Sequence, residues 1–384
     1  MTASDSNPPR ILVVIGTRPE GIKLAPVVAA LANRGEVETR VVLTGQHGTL
    51  MDQVLEVFQI PVHRDLQIMR EGQDLFDVMR DGLEGLRAVL DEFQPRMIVV
   101  QGDTASAFAG GLAAFLRRCG VAHVEAGLRS GDKWRPWPEE IFRRLTDVVT
   151  DVHLAPTPIA RANLLAEGVP ASSTFVTGNT VVDALLAVAA RPHEAVNGSL
   201  RSALGGGRRL VLVTAHRRES FGEPLRQAFE ALRRVVDSVP DVEILYPVHP
   251  NPNVREAARV LEGHERIRLT EPLDYLDLVH AMRHASLVIT DSGGIQEEAP
   301  TFGVPVLVMR DVTERPEAVH AGVAELVGTR PERILEAALR HLRAAGRSRA
   351  VSPYGDGRAG ERIADILIHV LTGAPRTTAD WSGG

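Results

Sequence analysis

Short apolar runs that stop at a glycine or a small polar residue, each followed by a helical pattern, recur along this chain and dictate how it can fold. Residues 10–16 read as a buried strand, 17–20 as a tight turn and 22–31 as a helix. The same order returns at residues 39–44, 96–101, 121–125 and 152–155. Strands alternating with helices of ordinary length predict a parallel sheet covered on both faces, because parallel neighbours must be joined by crossovers. The pattern lapses over 191–207, where Pro, Asn, Gly and Ser accumulate, and restarts at 209–214, 242–246, 267–270, 287–290 and 304–309. A chain of 384 residues exceeds what one core supports. The expectation is an α/β protein of two Rossmann-like domains, 1–190 and 208–358, with a disordered tail at 373–384 that is small and polar.

Charge and composition remove several classes of function. The net charge is −6, and the basic residues are scattered among acids, so no stripe suited to nucleic acid forms. No apolar run approaches the ~20 residues that span a bilayer. Residues 1–10 are polar, and a cytoplasmic protein without membrane contact is expected. Cys119 is the lone cysteine, in a helix-like run after Gly111, which excludes an internal disulfide and a cysteine-rich metal site and predicts a satisfied buried thiol. Of 43 basic residues only Lys23 and Lys133 are lysine. A compact ammonium kept against that preference invites a specific role.

In parallel sheets of this kind ligands lie beyond the carboxyl ends of the strands, so the residues just after each strand carry the most information. After the first strand, Arg18 and Lys23 flank a helix start with Pro19, which makes either an anion site or a plain turn with a surface lysine. Asp103 and Glu125 each follow a strand on the same edge. They read as an acid and base pair, or singly as helix caps. Glu139 and Glu140 open a helix, where dipole complementarity alone would explain them. His216, followed by Arg217 and Arg218, reads as a phosphate site with an imidazolium facing the leaving group; His249 lies in a proline-set loop. Ser292, Gly293 and Gly294 allow backbone to approach a diphosphate, with Glu298 one turn on as a ribose ligand or an ordinary solvated acid. No Gly-x-Gly-x-x-Gly occurs, so a dinucleotide cofactor is not supported.

Taken in order, residues 16–26, 44–47, 101–104, 123–132, 136–140, 178–183, 216–222, 247–251, 291–300 and 310–318 resemble the non-hydrolysing UDP-N-acetylglucosamine 2-epimerases. The resemblance runs from about residue 11 to residue 371. It implies the GT-B type fold, two Rossmann-like domains with the active site in the cleft between them, and a last helix, 361–372, that returns to the first domain. It implies conversion of UDP-GlcNAc to UDP-ManNAc by anti-elimination of UDP to a 2-acetamidoglucal and re-addition on the other face, with no cofactor and no metal. Asp103, Glu125, Glu139 and His216 match the catalytic positions. Arg18, Lys23, His249, Ser292, Gly293, Gly294, Glu298 and Arg315 match the UDP and substrate positions. Gln46, His47, Gln73 and Arg217 match parts of an activating second UDP-GlcNAc site. A homodimer is also implied.

The chain departs from the family pattern at two places. Gly72 stands where some members carry Arg, and Phe142 stands where relatives carry Asn before Arg143. A bulky apolar group one turn from Glu139 is expected to reshape the sugar pocket and alter which UDP-sugar is used. The alternatives are a hydrolysing epimerase, an epimerase of a related UDP-sugar, and a GT-B glycosyltransferase.

Overall fold

A computed structural model describes residues 7–45, 49–70, 72–344 and 352–383. The chain divides into two compact units, Met1–Ala184 with Tyr354–Gly383, and Leu185–Pro353. In the first unit, β1 (Arg10–Ile15), β2 (Glu38–Leu43), β3 (Val62–Asp65), β4 (Met97–Gln101), β5 (Gly120–Val124), β6 (Val152–Ala155) and β7 (Thr174–Val176) form a sheet of order β3-β2-β1-β4-β5-β6-β7. In the second, β8 (Arg209–Thr214), β9 (Val242–Pro247), β10 (Ile267–Thr270), β11 (Leu287–Thr290), β12 (Val306–Val308) and β13 (Ala324–Leu326) follow the order β10-β9-β8-β11-β12-β13. Their neighbours pair in parallel, so each unit is Rossmann-like.

The β-branched run of β1 shows why both faces are covered. Ile11, Val13 and Ile15 point into one core with Leu24, Val27 and Leu31 of the helix Arg18–Arg34 and Ile363, Ile366 and Leu367 of the helix Ala359–Thr372. Leu12 and Val14 point the other way, onto Leu86 and Leu90 of the helix Leu75–Phe93 and Ala113 of the helix Ala105–Leu116. Each such side chain contributes roughly 1.5–3 kcal/mol when fully buried. The second unit buries Val211, Val213, Phe229, Leu232, Ile244 and Tyr246 in the same way.

Strand order reverses between β1 and β4 and again between β8 and β11. These switch points separate the flanking helices and open a crevice at the carboxyl end of the sheet. In the first unit the residues there are those after β1 and β4; in the second, those after β8 and β11.

Several expectations need correction. The stretch 191–207 is not a bare linker: Asn197 caps a helix, Gly198–Gly205, and buried Asp277 accepts from the backbone N–H groups of Val196 and Asn197 and bonds His193. The division between units falls at 184/185, inside the helix Thr180–Ala189. Cys119 follows its helix rather than lying in it, half-buried, with its thiol donating to the Pro95 carbonyl at 3.1 Å and pushed up to about 12 by burial. No helix among the described residues is long and apolar enough to cross a membrane.

The tail expected to be disordered is packed on the first unit. Trp381 is buried, its N–H donates to the Val176 carbonyl at 2.8 Å, and Asp380 accepts from the Val176 N–H. Thr377 and Thr378 give Asp365 their backbone N–H and hydroxyl groups at 2.8–2.9 Å. Burial alone would push the Asp365 carboxyl up, but these four hydrogen bonds hold it well below the usual carboxylate range. Composition concealed this because small polar residues order a segment by hydrogen bonds, without an apolar pattern to reveal it. Truncation after Gly373 is expected to destabilise the protein by about 2–4 kcal/mol, since it exposes the Trp381 site and removes the four Thr377 and Thr378 hydrogen bonds to Asp365. Thermal or urea unfolding of the shortened chain checks this.

Candidate functional site

In the first unit the turn after β1 is built around a buried acid. Glu20 is 1% exposed; its Oε2 accepts the Gly16 N–H at 2.7 Å and its Oε1 the Thr17 hydroxyl at 2.9 Å. Burial pushes the Glu20 carboxyl up to about 7, with Asp103 adding to the rise and the bonds from Gly16, Thr104 and Thr17 opposing it. A carboxyl that ionises more reluctantly folded than unfolded holds its extra proton between pH ~4.5 and ~7, so stability falls as pH rises through that window, by about 3 kcal/mol in all. Glu20→Gln keeps an acceptor for Gly16 and is expected to flatten this slope and to be the more stable protein above pH 7. Urea unfolding from pH 5 to 8 tests it.

Lys23 lies on the same helix, one turn beyond the turn that carries Arg18. Its ammonium sits 2.5 Å from Glu125 Oε2, and both residues are 8% exposed. The rare lysine therefore neutralises a buried carboxylate instead of covering the surface. Glu125 has φ +69°, a left-handed conformation that costs a non-glycine residue about 1 kcal/mol or more. The chain turns sharply there, directly after β5.

Gly102 has φ +74° and Asp103 follows it at the end of β4. Arg143 holds the Asp103 carboxylate through Nε at 3.1 Å and through Nη2. Arg143 belongs to the helix Glu139–Val148, whose charged residues at 139, 143 and 147 stand one turn apart on one face. The adjacent acids Glu139 and Glu140 differ in their surroundings. Glu140 is 1% exposed and is taken up by the N–H groups of Ser130 and Gly131 and by Arg143. Glu139 has a buried Oε2 with no hydrogen-bond partner among the described residues.

Phe142, the departure from the family pattern, is buried. It is 9% exposed and its ring stacks on Phe108 of the helix Ala105–Leu116, centroids 5.3 Å apart. The aromatic group packs between two helices of the first unit. Gln73 is likewise engaged locally: its amide donates to the Ile68 carbonyl at 2.7 Å and to Asp81, and its Oε1 accepts from the Arg70 N–H. Gln46 and His47 lie outside the described residues. Gly72 is exposed in the loop beside Gln73.

In the second unit Asp291, 1% exposed at the end of β11, organises the crevice. Its Oδ2 accepts the backbone N–H groups of His216 and Arg217 at 2.8 and 2.9 Å, and Oδ1 lies 3.3 Å from His216 Nδ1. The His216 ring stacks on His249 with centroids 5.5 Å apart, and His249 Nδ1 accepts from the Asn251 N–H. The sequence suggested an imidazolium at His216. Burial instead pushes this imidazole below its ordinary range, with Arg217 and His249 adding to the fall against the pull of Asp291.

Ser292, Gly293 and Gly294 follow directly and start the short helix Gly293–Glu298. A Cβ on Gly293 would lie 2.8 Å from the Arg315 guanidinium, so only glycine lets that cation close over the turn. Arg315 is oriented by Glu297 at 2.7 Å, and Arg310 by Glu314 at 2.9 Å. Glu298 is half-buried on the same helix, with its Oε1 near Gly294. One unit thus gathers carboxylates and a lysine; the other gathers histidines, arginines and a glycine turn suited to an anion.

Sequence reasoning missed Glu20, Arg143 and Asp291. Their signal was faint: Glu20 and Asp291 are ordinary charged residues at a helix start and a strand end, Arg143 lies in mid-helix, and only burial distinguishes them.

A family model described as UDP-N-acetylglucosamine 2-epimerase matches residues 29–368. The UDP-N-acetylglucosamine 2-epimerase of Yersinia pestis is 50% identical over 368 residues, which are 93% of this chain and 98% of that one. Among solved structures, S. aureus MnaA with UDP matches with a TM-score of 0.89 at 42% identity, covering 97% of this chain and 100% of that one. UDP-GlcNAc 2-epimerase from Neisseria meningitidis bound to UDP-GlcNAc gives 0.86 at 39% identity, covering 94% and 99%. The fold is of the GT-B type, two Rossmann-like units with parallel sheets. On fold, family model and whole-length similarity together, this chain belongs to the UDP-N-acetylglucosamine 2-epimerase family.

Proposed function

We propose that this protein interconverts UDP-GlcNAc and UDP-ManNAc without hydrolysis. The observation that carries the reading is the set of carboxylates at the ends of β4 and β5 and at the head of the helix Glu139–Val148: Asp103 and Glu125 are held by the cations Arg143 and Lys23, whereas Glu139 has a buried oxygen with no hydrogen-bond partner among the described residues. Carboxylates gathered at one sheet edge are the residue type that can take and give the C2 proton. Relatives solved with UDP and with UDP-GlcNAc support a UDP-sugar as the substrate.

In this reading a carboxylate of the first unit removes the C2 proton while the C1–O bond breaks and its electron pair leaves with UDP, giving a 2-acetamidoglucal. UDP then adds back to C1 as a proton is delivered to the opposite face of C2. The C2 hydrogen is weakly acidic, so the departing diphosphate needs charge stabilisation. Arg315, Arg18 and a His216 that gains its proton when the diphosphate arrives supply it, with Ser292, Gly293 and Gly294 offering backbone and Glu298 the ribose contact.

The deciding experiment is proton NMR of the enzyme with UDP-GlcNAc in deuterated water and no acceptor. The expected result is UDP-ManNAc with deuterium at C2 and the nucleotide retained. Release of free ManNAc and UDP, or no turnover without an acceptor, would overturn the reading.

A further inference from the structure

We propose that His123 is a buried imidazolium acting as the positioning residue for Asp103, which it serves by clamping the Gly102 carbonyl. The inference rests on the epimerase reading for its kinetic part and on geometry alone for its charge. His123 lies on β5 and is 0% exposed. Its Nε2 is 2.8 Å from the Gly102 carbonyl oxygen, and its Nδ1 is 2.6 Å from Asp147 Oδ1. A carbonyl oxygen has no proton to give, so Nε2 donates. The other oxygen of Asp147 accepts from Arg129 Nη2 at 2.7 Å, so a guanidinium already stabilises the ionised carboxylate. An ionised carboxylate only accepts, so Nδ1 donates as well, and an imidazole that donates from both nitrogens is the cation.

The charges facing the ring support this state. Arg129 also pairs with Glu167 at 2.7 Å, and His153 Nε2 meets the Asp147 backbone carbonyl at 3.0 Å rather than its carboxylate. Buried charges persist only when paired and hydrogen-bonded, and here each partner is in place.

The clamp bears on the reaction through one peptide. Gly102 has its N–H bonded to the Val124 carbonyl at 3.0 Å and its carbonyl held by His123, so the peptides on either side of it are each anchored, the second of them leading into Asp103. The opposite side of Asp103 is held by Arg143, one turn before Asp147 on the same helix. A single helix thereby grips both the carboxylate and the ring beneath it, and Glu139 heads that helix. A shift of one ångström in such a group is enough to cost on the order of 10²-fold in rate.

Two measurements test the proposal. Nitrogen-15 NMR of histidine side chains in the intact protein at pH 7.5 is expected to show both His123 ring nitrogens protonated, assigned by loss of the signals in His123→Gln. A neutral tautomer would overturn the charge assignment, whatever the enzyme's activity. His123→Gln retains a donor near Nε2 and is expected to hold kcat within about threefold, whereas His123→Leu should lose on the order of 10²-fold in kcat with KM within about twofold. Equal loss in both variants, or a change confined to KM, would overturn the positioning role. If the wild type fails to exchange C2 at all, the epimerase reading falls while the ring measurement still decides the charge.

Discussion

Glu125→Gln is expected to lower kcat by about 10³-fold or more while the protein remains folded. Gln is nearly isosteric and can still accept a hydrogen bond from Lys23, so geometry is preserved and the charge is what disappears. Removing it deprives a buried ammonium of the carboxylate oxygen 2.5 Å away, so a stability loss of about 3 kcal/mol should accompany the kinetic one. Pairing it with Lys23→Met should restore stability without restoring turnover. Glu139→Gln separates the two effects further. Its buried Oε2 has no hydrogen-bond partner among the described residues, so turnover should fall by orders of magnitude with no measurable change in melting temperature. Asp103→Asn should lie between them, because Arg143 holds that carboxylate. Deuterium uptake at C2 and thermal unfolding read the two effects independently. Near-normal exchange in all three variants would remove these acids from the chemistry.

The second large effect is expected at His216. His216→Ala should slow turnover by on the order of 10²-fold and weaken UDP binding, since the ring gives charge and a hydrogen bond to a departing diphosphate. Burial holds its imidazole below the ordinary range, so a diphosphate that favours the cation is expected to draw in a proton. UDP binding near pH 7 should therefore take up protons in the wild type and fewer in His216→Ala. Titration calorimetry in buffers of different ionisation enthalpy measures this directly. Identical proton uptake in both proteins would show that another group titrates.

Much of this site was legible before any coordinates. Strands whose interiors are continuous β-branched runs, such as β1 and β4, announce burial on both faces, and the residues after them were placed at the sheet's carboxyl edge on that ground alone. The edge strands β3, β7 and β13 were missed for the complementary reason: Val62–Asp65 is exposed throughout, and β7 and β13 span three residues each. Short or half-polar strands leave no period to read. Within the site, residue types gave candidates but not pairings. That Lys23 would meet Glu125, a hundred positions away, depends on β1 and β5 flanking β4, which local pattern cannot reveal. Phe142 shows the same limit: its neighbours in sequence singled it out, but its stacking on Phe108 of another helix is set by the tertiary fold.

The first unit completes its apolar core with Ile363, Ile366 and Leu367 from the helix Ala359–Thr372. Translation from the amino end delivers those side chains only after the whole second unit, so a growing chain carries a first core left open on one face until residue 371 is made. The contiguous second unit, Leu185–Pro353, has no such dependence and can close while the first still waits. A fragment ending at Pro353 should accordingly resist protease across the second unit and be cleaved in the first, the reverse of the order in which the ribosome makes them.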